Sequence, residues 1–478
     1  MIRFWCTAIL IFCSLLSARS QTDITIDVKH YESDSMIFGY YLADRMLVFD
    51  TLYRENKEPF KVKQDTSLDM GLYLLVSIPE GMFYQLIVDE DQEFEVTIDT
   101  LQQEHLSVTG SEENEIFLDY LNYVNEQRQL VQQLDQALAT TDSTQLSIRD
   151  QLLKDKAAIN TNVALRQKQI IEEYPDAIVS ILMKANLPFE FPEFSGTPEE
   201  IQNQKYRYYK DHYFDDIDLN HPGIFRTPII HQRINYYEES LTPKIADSII
   251  QSVDYLLGLM DDDSEQFQYY LSYFLGKYGE SKYIGMDAVY VHLALEYYAK
   301  GKAPWVEEDN LAEIVNNARR LKPVLIGKPA PAFRLMQQDS SYVSLSDLDN
   351  DYTILVFWKP GCGHCTKAMP HIIEFQEKYR DQGVEVVTMC TEGAKNPEEC
   401  WKAIEEKNML DLINTIDPKN RDRAQSRYYA TSTPMIFIID KDEKIRLKKL
   451  PAENLGPVMD QLFEEDRQRE IKESGAGR

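Results

Sequence analysis

The chain has little cysteine, no long apolar segment and a deficit of basic charge, and each shortage excludes something. Six of 478 residues are cysteine. Cys6 and Cys13 fall in the first twenty residues, and Cys362, Cys365, Cys390 and Cys400 all lie beyond residue 361. The stretch between cannot be a disulfide-stapled scaffold; it must hold together by apolar burial, for which a hydrophobic content of 43% is ordinary. The longest largely apolar run, Phe4–Leu16, has 13 residues, short of the ~20 that span a bilayer as a helix. Lys and Arg number 50 against 79 Asp and Glu, a formal charge of −29. Such a chain is repelled by phosphate backbones, and no basic stripe relieves this, so nucleic acid is excluded as a partner.

Arg3, the run Phe4–Leu16 and small residues at Ala18 and Ser20 read as a secretory signal peptide over 1–20, cleaved near Ser20/Gln21. Trp5 and Phe12 precede Cys6 and Cys13, where a lipid-anchor signal needs a small residue. The mature chain is therefore expected to be periplasmic or otherwise exported, without a transmembrane part. Such a compartment permits disulfide chemistry.

Three regions follow. Residues 21–111 carry alternating or apolar runs (Ile24–Val28, Leu72–Ile78, Tyr84–Val88, Phe94–Ile98, Leu106–Val108) separated by turn signals such as Pro79 and Gly81, which predicts a small all-β sandwich. Residues 112–320 show helical spacing, as in Ile116, Phe117, Tyr120, Leu121 and Val124, and predict an all-α domain. Its many tyrosines, among them Tyr208, Tyr209, Tyr213 and Tyr236, fit aromatic helix packing or a peptide groove. After Pro323, Gly327, Pro329 and Pro331, residues 321–470 alternate strand and helix: strands at 352–358, 384–389, 412–416, 435–440 and 444–450, helices at 363–380, 397–408, 419–429 and 453–469. That is an α/β domain with a central sheet. Residues 471–478 read as a flexible tail.

Chemistry concentrates at Trp358-Lys-Pro-Gly-Cys-Gly-His-Cys365, between a buried-strand pattern and a helix pattern. A helix N-terminus offers free N–H groups and partial positive charge. Both favour a thiolate, the reactive form of cysteine. Cys362 is the expected nucleophile and Cys365 the residue that resolves a mixed disulfide. His364 can stabilise the Cys362 thiolate, and Lys359 would do so if it pointed inward. Half of a zinc site is the competing reading, but Cys390 and Cys400, with nine residues between them and no His pair at finger spacing, do not supply the other half. No metal and no cofactor is expected beyond the redox-active pair Cys362–Cys365. Cys390 and Cys400 fit either a second disulfide or two buried small side chains.

Several further positions resemble the TlpA/ResA type of exported thioredoxin-fold proteins: Gly327-Lys-Pro-Ala-Pro-Ala-Phe333, Phe357-Trp358, Pro370 in the active-site helix, Thr433-Pro434 before the strand Met435–Ile439, and the turn Asp440–Lys444. The resemblance covers about residues 325–470. It implies a thioredoxin fold, a cis bond at Thr433–Pro434, and substrate docking by Thr433, Pro434 and Trp358. A β domain ending in Val-Thr-Gly-Ser, an all-α domain and a Cys-Gly-His-Cys thioredoxin domain also resemble exported proteins of Bacteroidetes. Two acids of related proteins are missing: Val356 stands where thioredoxin has a buried Asp, and Ala368 where ResA-type members carry a Glu.

The expected function is an exported thiol–disulfide oxidoreductase, reductase or isomerase, acting on cysteine-containing exported proteins, with a membrane electron donor as an option. The alternatives are a non-enzymic assembly protein with an accessory thioredoxin module, and a thiol peroxidase. The latter wants a Thr three residues before its cysteine, where Lys359 stands.

Overall fold

The computed structural model describes residues 22–79, 81–101 and 106–475; the signal-peptide reading over 1–20 and its cleavage site lie outside them. The chain gathers into two compact units, one of residues up to Leu241 with Leu259–Gln266, the other of Thr242–Gly258 and Phe267 onward. Helical residues of the stretch 112–320 occur in both units.

The first unit opens with eight strands: β1 (Thr22–Lys29), β2 (Ser35–Leu42), β3 (Arg45–Tyr53), β4 (Phe60–Gln64), β5 (Gly71–Ser77), β6 (Phe83–Val88), β7 (Glu93–Asp99) and β8 (Leu106–Thr109). They form two four-stranded sheets, β4-β1-β7-β8 and β3-β2-β5-β6. Ile24, Ile26 and Val28 of the first share one apolar core with Met36, Phe38 and Leu75 of the second, so alternation along each strand buries one face of each sheet. The sequence pattern finds five of these strands and misses β2, β3 and β4. Met46, Val48 and Tyr53 of the edge strand β3 stay exposed, and the β2–β3 register shifts between Phe38 and Gly39. Without a buried face along β3, no period of two marks that strand.

Ser111 caps helix Glu112–Thr140. In its first turn the buried Asn114 amide accepts from Ile87 N at 2.8 Å and donates to Ile87 O at 2.6 Å, so a side chain satisfies backbone groups of β6. Further along this unit Tyr208, Tyr209, Tyr213 and Tyr236 line an open pocket of about 860 Å³. Tyr213 and Tyr236 stack at 5.7 Å, and Tyr209 meets Phe189 edge-on at 4.7 Å.

In the second unit, helices including Ala246–Gly258, Asp287–Glu296 and Glu308–Leu321 precede β9 (Arg334–Met336), β10 (Tyr342–Ser344), β11 (Tyr352–Trp358), β12 (Val384–Cys390), β13 (Ile413–Ile416), β14 (Met435–Asp440) and β15 (Ile445–Lys448). The sheet order is β10-β9-β13-β12-β11-β14-β15, with β11 parallel to β12 and antiparallel to β14. Ile354, Val356 and Trp358 of β11 feed one core, Leu355 and Phe357 the other. A central strand buried on both faces reads as an unbroken apolar run, which is why this strand is legible in the sequence.

Two expectations are corrected here. The helix expected over 419–429 is only Ala424–Arg427. The Asp417 carboxylate accepts from the amides of Asp422 and Ala424, and Lys419, Asn420 and Arg423 take positive φ, so a side chain organises a loop where a helix was read. Residues 471–475 of the expected tail instead continue helix Leu455–Gly475, and residues 476–478 lie outside the described residues.

Cys390 and Cys400 are disulfide-bonded, which resolves the open choice. The bridge ties the end of β12 to helix Pro397–Glu406. Closing so short a loop contributes about 3 kcal/mol by restricting the unfolded chain. Lys448 of β15 is 2% exposed, and its ammonium lies 2.5 Å from the carboxylate of Asp287, in the first turn of helix Asp287–Glu296. Burial holds the Lys448 ammonium below the usual lysine range, and Asp287 partly restores it. No helix among the described residues is long and apolar enough to cross a membrane.

Candidate active site

β11 ends at Trp358. The chain turns through Lys359, Pro360 and Gly361 into helix Gly363–Tyr379, with Cys362 as its N-cap. Gly361 sits at φ +69°, a left-handed conformation that a β-carbon disfavours, so the tight entrance to the helix falls on a glycine. Cys362 Sγ accepts from the amide of Cys365 at 3.2 Å, a cap made with sulfur in place of the usual side-chain oxygen.

The Thr433–Pro434 bond is cis, and Thr433 reaches the same sulfur twice. The Cys362 thiol donates to the Thr433 carbonyl oxygen at 3.3 Å. Thr433 Oγ1, 3.5 Å from Sγ, is placed to donate to it.

These contacts split the two thiols. At Cys362 partial burial favours the neutral form, but donors prevail. The Cys365 thiol, the Thr433 hydroxyl and the amides of Cys365 and His364 bring it below the ordinary thiol value. Cys365 is 0% exposed; burial, and its hydrogen bond to Cys362, push it up to about 11. One sulfur is thus partly exposed and readily ionised, and the other is buried and protonated.

The alkylation rate of the reduced protein should therefore rise with pH through a midpoint below that of a free thiol. Thr433→Val removes a donor to the thiolate and should move that midpoint upward. An unmoved midpoint in an iodoacetamide rate–pH profile would show that the hydroxyl plays no part.

The other sequence-derived site residues are placed as follows. Trp358 is 0% exposed and pairs in the sheet with Cys390, so its expected contact with substrate is corrected. As the last residue of a doubly covered strand it packs in the core against which Cys362 rests. The side chain of His364 is exposed; its main-chain amide, not its imidazole, serves the Cys362 sulfur. Lys359 is also exposed, and its main chain is what faces Cys365. Val356 and Ala368 are buried and bring no acid. Cys390 and Cys400 are both 0% exposed and share the core of Cys365. The Thr433 hydroxyl was missed by sequence reasoning, which assigned only backbone groups to that position. The signal available was a hydroxyl-bearing residue before the cis-proline.

Two grooves flank the segment Thr431–Thr433. One of about 400 Å³ has Lys359, Lys395, Glu392 and Asp417 on its walls. The other, about 800 Å³, runs from Pro434 along the exposed face of the active-site helix and includes His364.

Comparison with known proteins bears on this region. Residues 326–448 match the AhpC/TSA family, and residues 119–321 match a domain of unknown function, DUF5106. The thiol-disulfide oxidoreductase ResA of Bacillus thuringiensis (strain Al Hakam) is 31% identical over 123 residues, 25% of this chain. The chain spans 66% of that relative's length, a little under two thirds. Among solved structures, a domain of a possible thiol-disulfide isomerase from Cytophaga hutchinsonii is 31% identical, with 30% of this chain and 98% of that one covered and a TM-score of 0.29. A thioredoxin-like protein from Bacteroides caccae is 17% identical, with 56% and 97% covered and a TM-score of 0.42. On the family match and the ResA relatives, the C-terminal domain is thioredoxin-like, with homologues named thiol-disulfide oxidoreductases.

Proposed function

We propose that this chain is an exported thiol–disulfide oxidoreductase, of the multidomain kind met in Bacteroidetes, acting on cysteines of other exported proteins through Cys362-Gly-His-Cys365. The observation that carries the reading is the contrast between the two sulfurs: Cys362 half-buried and drawn toward the thiolate, Cys365 buried with its thiol held up to about 11. A pair kept for structure has no need of that contrast; a pair that attacks and then resolves does.

In the reductive direction the Cys362 thiolate attacks a substrate disulfide, forming one S–S bond to the substrate and releasing one substrate thiolate. Cys365 then gives up its proton and attacks the Cys362 sulfur. That closes the Cys362–Cys365 disulfide and releases the second substrate thiolate, so two electrons have passed to the substrate. Thr433, beside the sulfur, offers main-chain groups with which an extended substrate can pair. His364 stays a candidate catalytic residue through its amide, and through its ring if substrate brings a partner to it. Regeneration needs a dithiol reductant, for which a membrane electron donor is one source.

The test is a redox titration of the mature protein in glutathione buffers, with free thiols trapped and counted by mass. The reading expects one two-electron transition confined to Cys362 and Cys365. Because the reduced form is stabilised at Cys362, the midpoint should lie nearer the roughly −180 mV of protein disulfide isomerase than the roughly −270 mV of thioredoxin. Absence of any such transition would remove the enzymatic reading and leave the accessory-module alternative.

A further inference from the structure

The larger groove beside the site departs from the rest of the chain in charge. Over a molecule of formal charge −29, its walls bring together His364, Lys367, His371 and Lys449 against one carboxylate, Glu453. The first three are spaced by three and four residues on helix Gly363–Tyr379, so they form one stripe along a single face. Lys449 stands opposite, just past β15, where its amide donates to Ile436 O at 2.9 Å. All four side chains are exposed. None makes an ion pair or side-chain hydrogen bond among the described residues. The smaller groove lacks this bias, since Lys359 and Lys395 there face Glu392 and Asp417.

The groove also reaches the residue that touches the reactive sulfur. It includes Thr433 and Pro434, and Thr433 O is 3.3 Å from Cys362 Sγ. An extended segment rises about 3.3 Å per residue, so a chain bonded through its cysteine to Cys362 runs its next few residues past the stripe. Lys367 and Lys449 bring two ammonium groups to the groove, and the two imidazoles add ring nitrogens that can hydrogen-bond.

From this juxtaposition we propose that the groove selects extended protein segments whose cysteine is flanked within a few residues by Asp or Glu. The occupant is an acidic cysteine-bearing segment of another protein, and Lys367 and Lys449 are specificity-determining residues. The inference rests on the oxidoreductase reading and deepens it. The chemistry is the attack described above: Cys362 forms the mixed disulfide with the segment's cysteine and the other half of the substrate disulfide leaves as a thiolate.

The test uses the full mature protein, reduced with a dithiol and freed of it, in single turnover. Two peptides each carry one cysteine blocked as a mixed disulfide with thionitrobenzoate, one flanked by Asp and Glu, the other by Lys and Arg. A small uncharged disulfide is the third substrate. Release of the coloured thiolate measures attack on the blocked peptides, and appearance of the oxidised protein measures attack on the small disulfide. The acidic peptide should react about tenfold faster than the basic one at low salt. The gap should shrink when salt shortens the screening length to about 3 Å at 1 M. Lys367→Glu with Lys449→Glu should abolish or reverse the ratio between the peptides, and Lys367→Arg with Lys449→Arg should preserve it. Equal rates for the two peptides, or a ratio indifferent to charge reversal, would overturn the specificity while leaving the exchange reaction in place. If none of the three substrates reacts, the oxidoreductase reading fails and this inference fails with it.

Discussion

Cys362→Ser is expected to lose at least roughly 10³-fold in disulfide exchange, because a serine hydroxyl at this cap does not ionise near neutral pH and cannot serve as the attacking sulfur. Cys365→Ser should behave differently. The Cys362 thiolate still attacks, but nothing behind it displaces the substrate, so a covalent protein–substrate disulfide accumulates. The contrast follows from position: Cys362 is partly exposed at the start of the helix, whereas Cys365 is sealed beneath it. Mass spectrometry of the trapped adduct under non-reducing conditions checks both, and the adduct also identifies the partner. If the Cys365 variant turned over as fast as the parent, the two-sulfur mechanism would be wrong.

Asp287→Ala should cost about 3–5 kcal/mol of stability, the range for removing one partner of a buried ion pair. The reason is what remains. Lys448 has a side chain 3% exposed, and without Asp287 its ammonium is left without its counter-charge in a dry place. The companion change Lys448→Met replaces the buried cation with an apolar side chain and should be close to neutral or stabilising, since it removes the desolvation penalty rather than exposing it. Fluorescence-monitored urea unfolding suits the measurement, because Trp305, Trp358 and Trp401 all belong to the unit that contains the pair. A loss below about 1 kcal/mol for Asp287→Ala would mean that water reaches Lys448 and that the pair is no tether.

These two predictions differ in how far the sequence anticipates them. The redox pair is legible because its signals are local: an apolar run, a glycine turn, two cysteines at the start of a helix pattern, and a Thr-Pro before another apolar run. Strands β11, β12 and β14 are legible for the same reason, since burial on both faces leaves no polar interruption to misread. Local signals fail where side chains override propensity, as at Asp417, whose carboxylate organises the loop read as helix 419–429. They fail again where burial does not alternate, as along the edge strand β3.

Composition and local pattern alone determined that the chain is acidic, that residues 21–361 hold no cysteine, that β, helical and α/β regions follow in that order, and that Cys362 and Cys365 are the candidate reactive positions. Tertiary structure decided what depends on which surfaces meet. It joined Cys390 to Cys400, buried Trp358 under the site it had been expected to line, and turned the His364 ring into the groove while its amide served the sulfur. It also brought the Thr433 hydroxyl to the Cys362 sulfur and buried Lys448 against Asp287. Periodicity reports which face of an element is apolar; it carries no information about the element that covers that face, and the ionisation of a cysteine or a lysine is set by that neighbour.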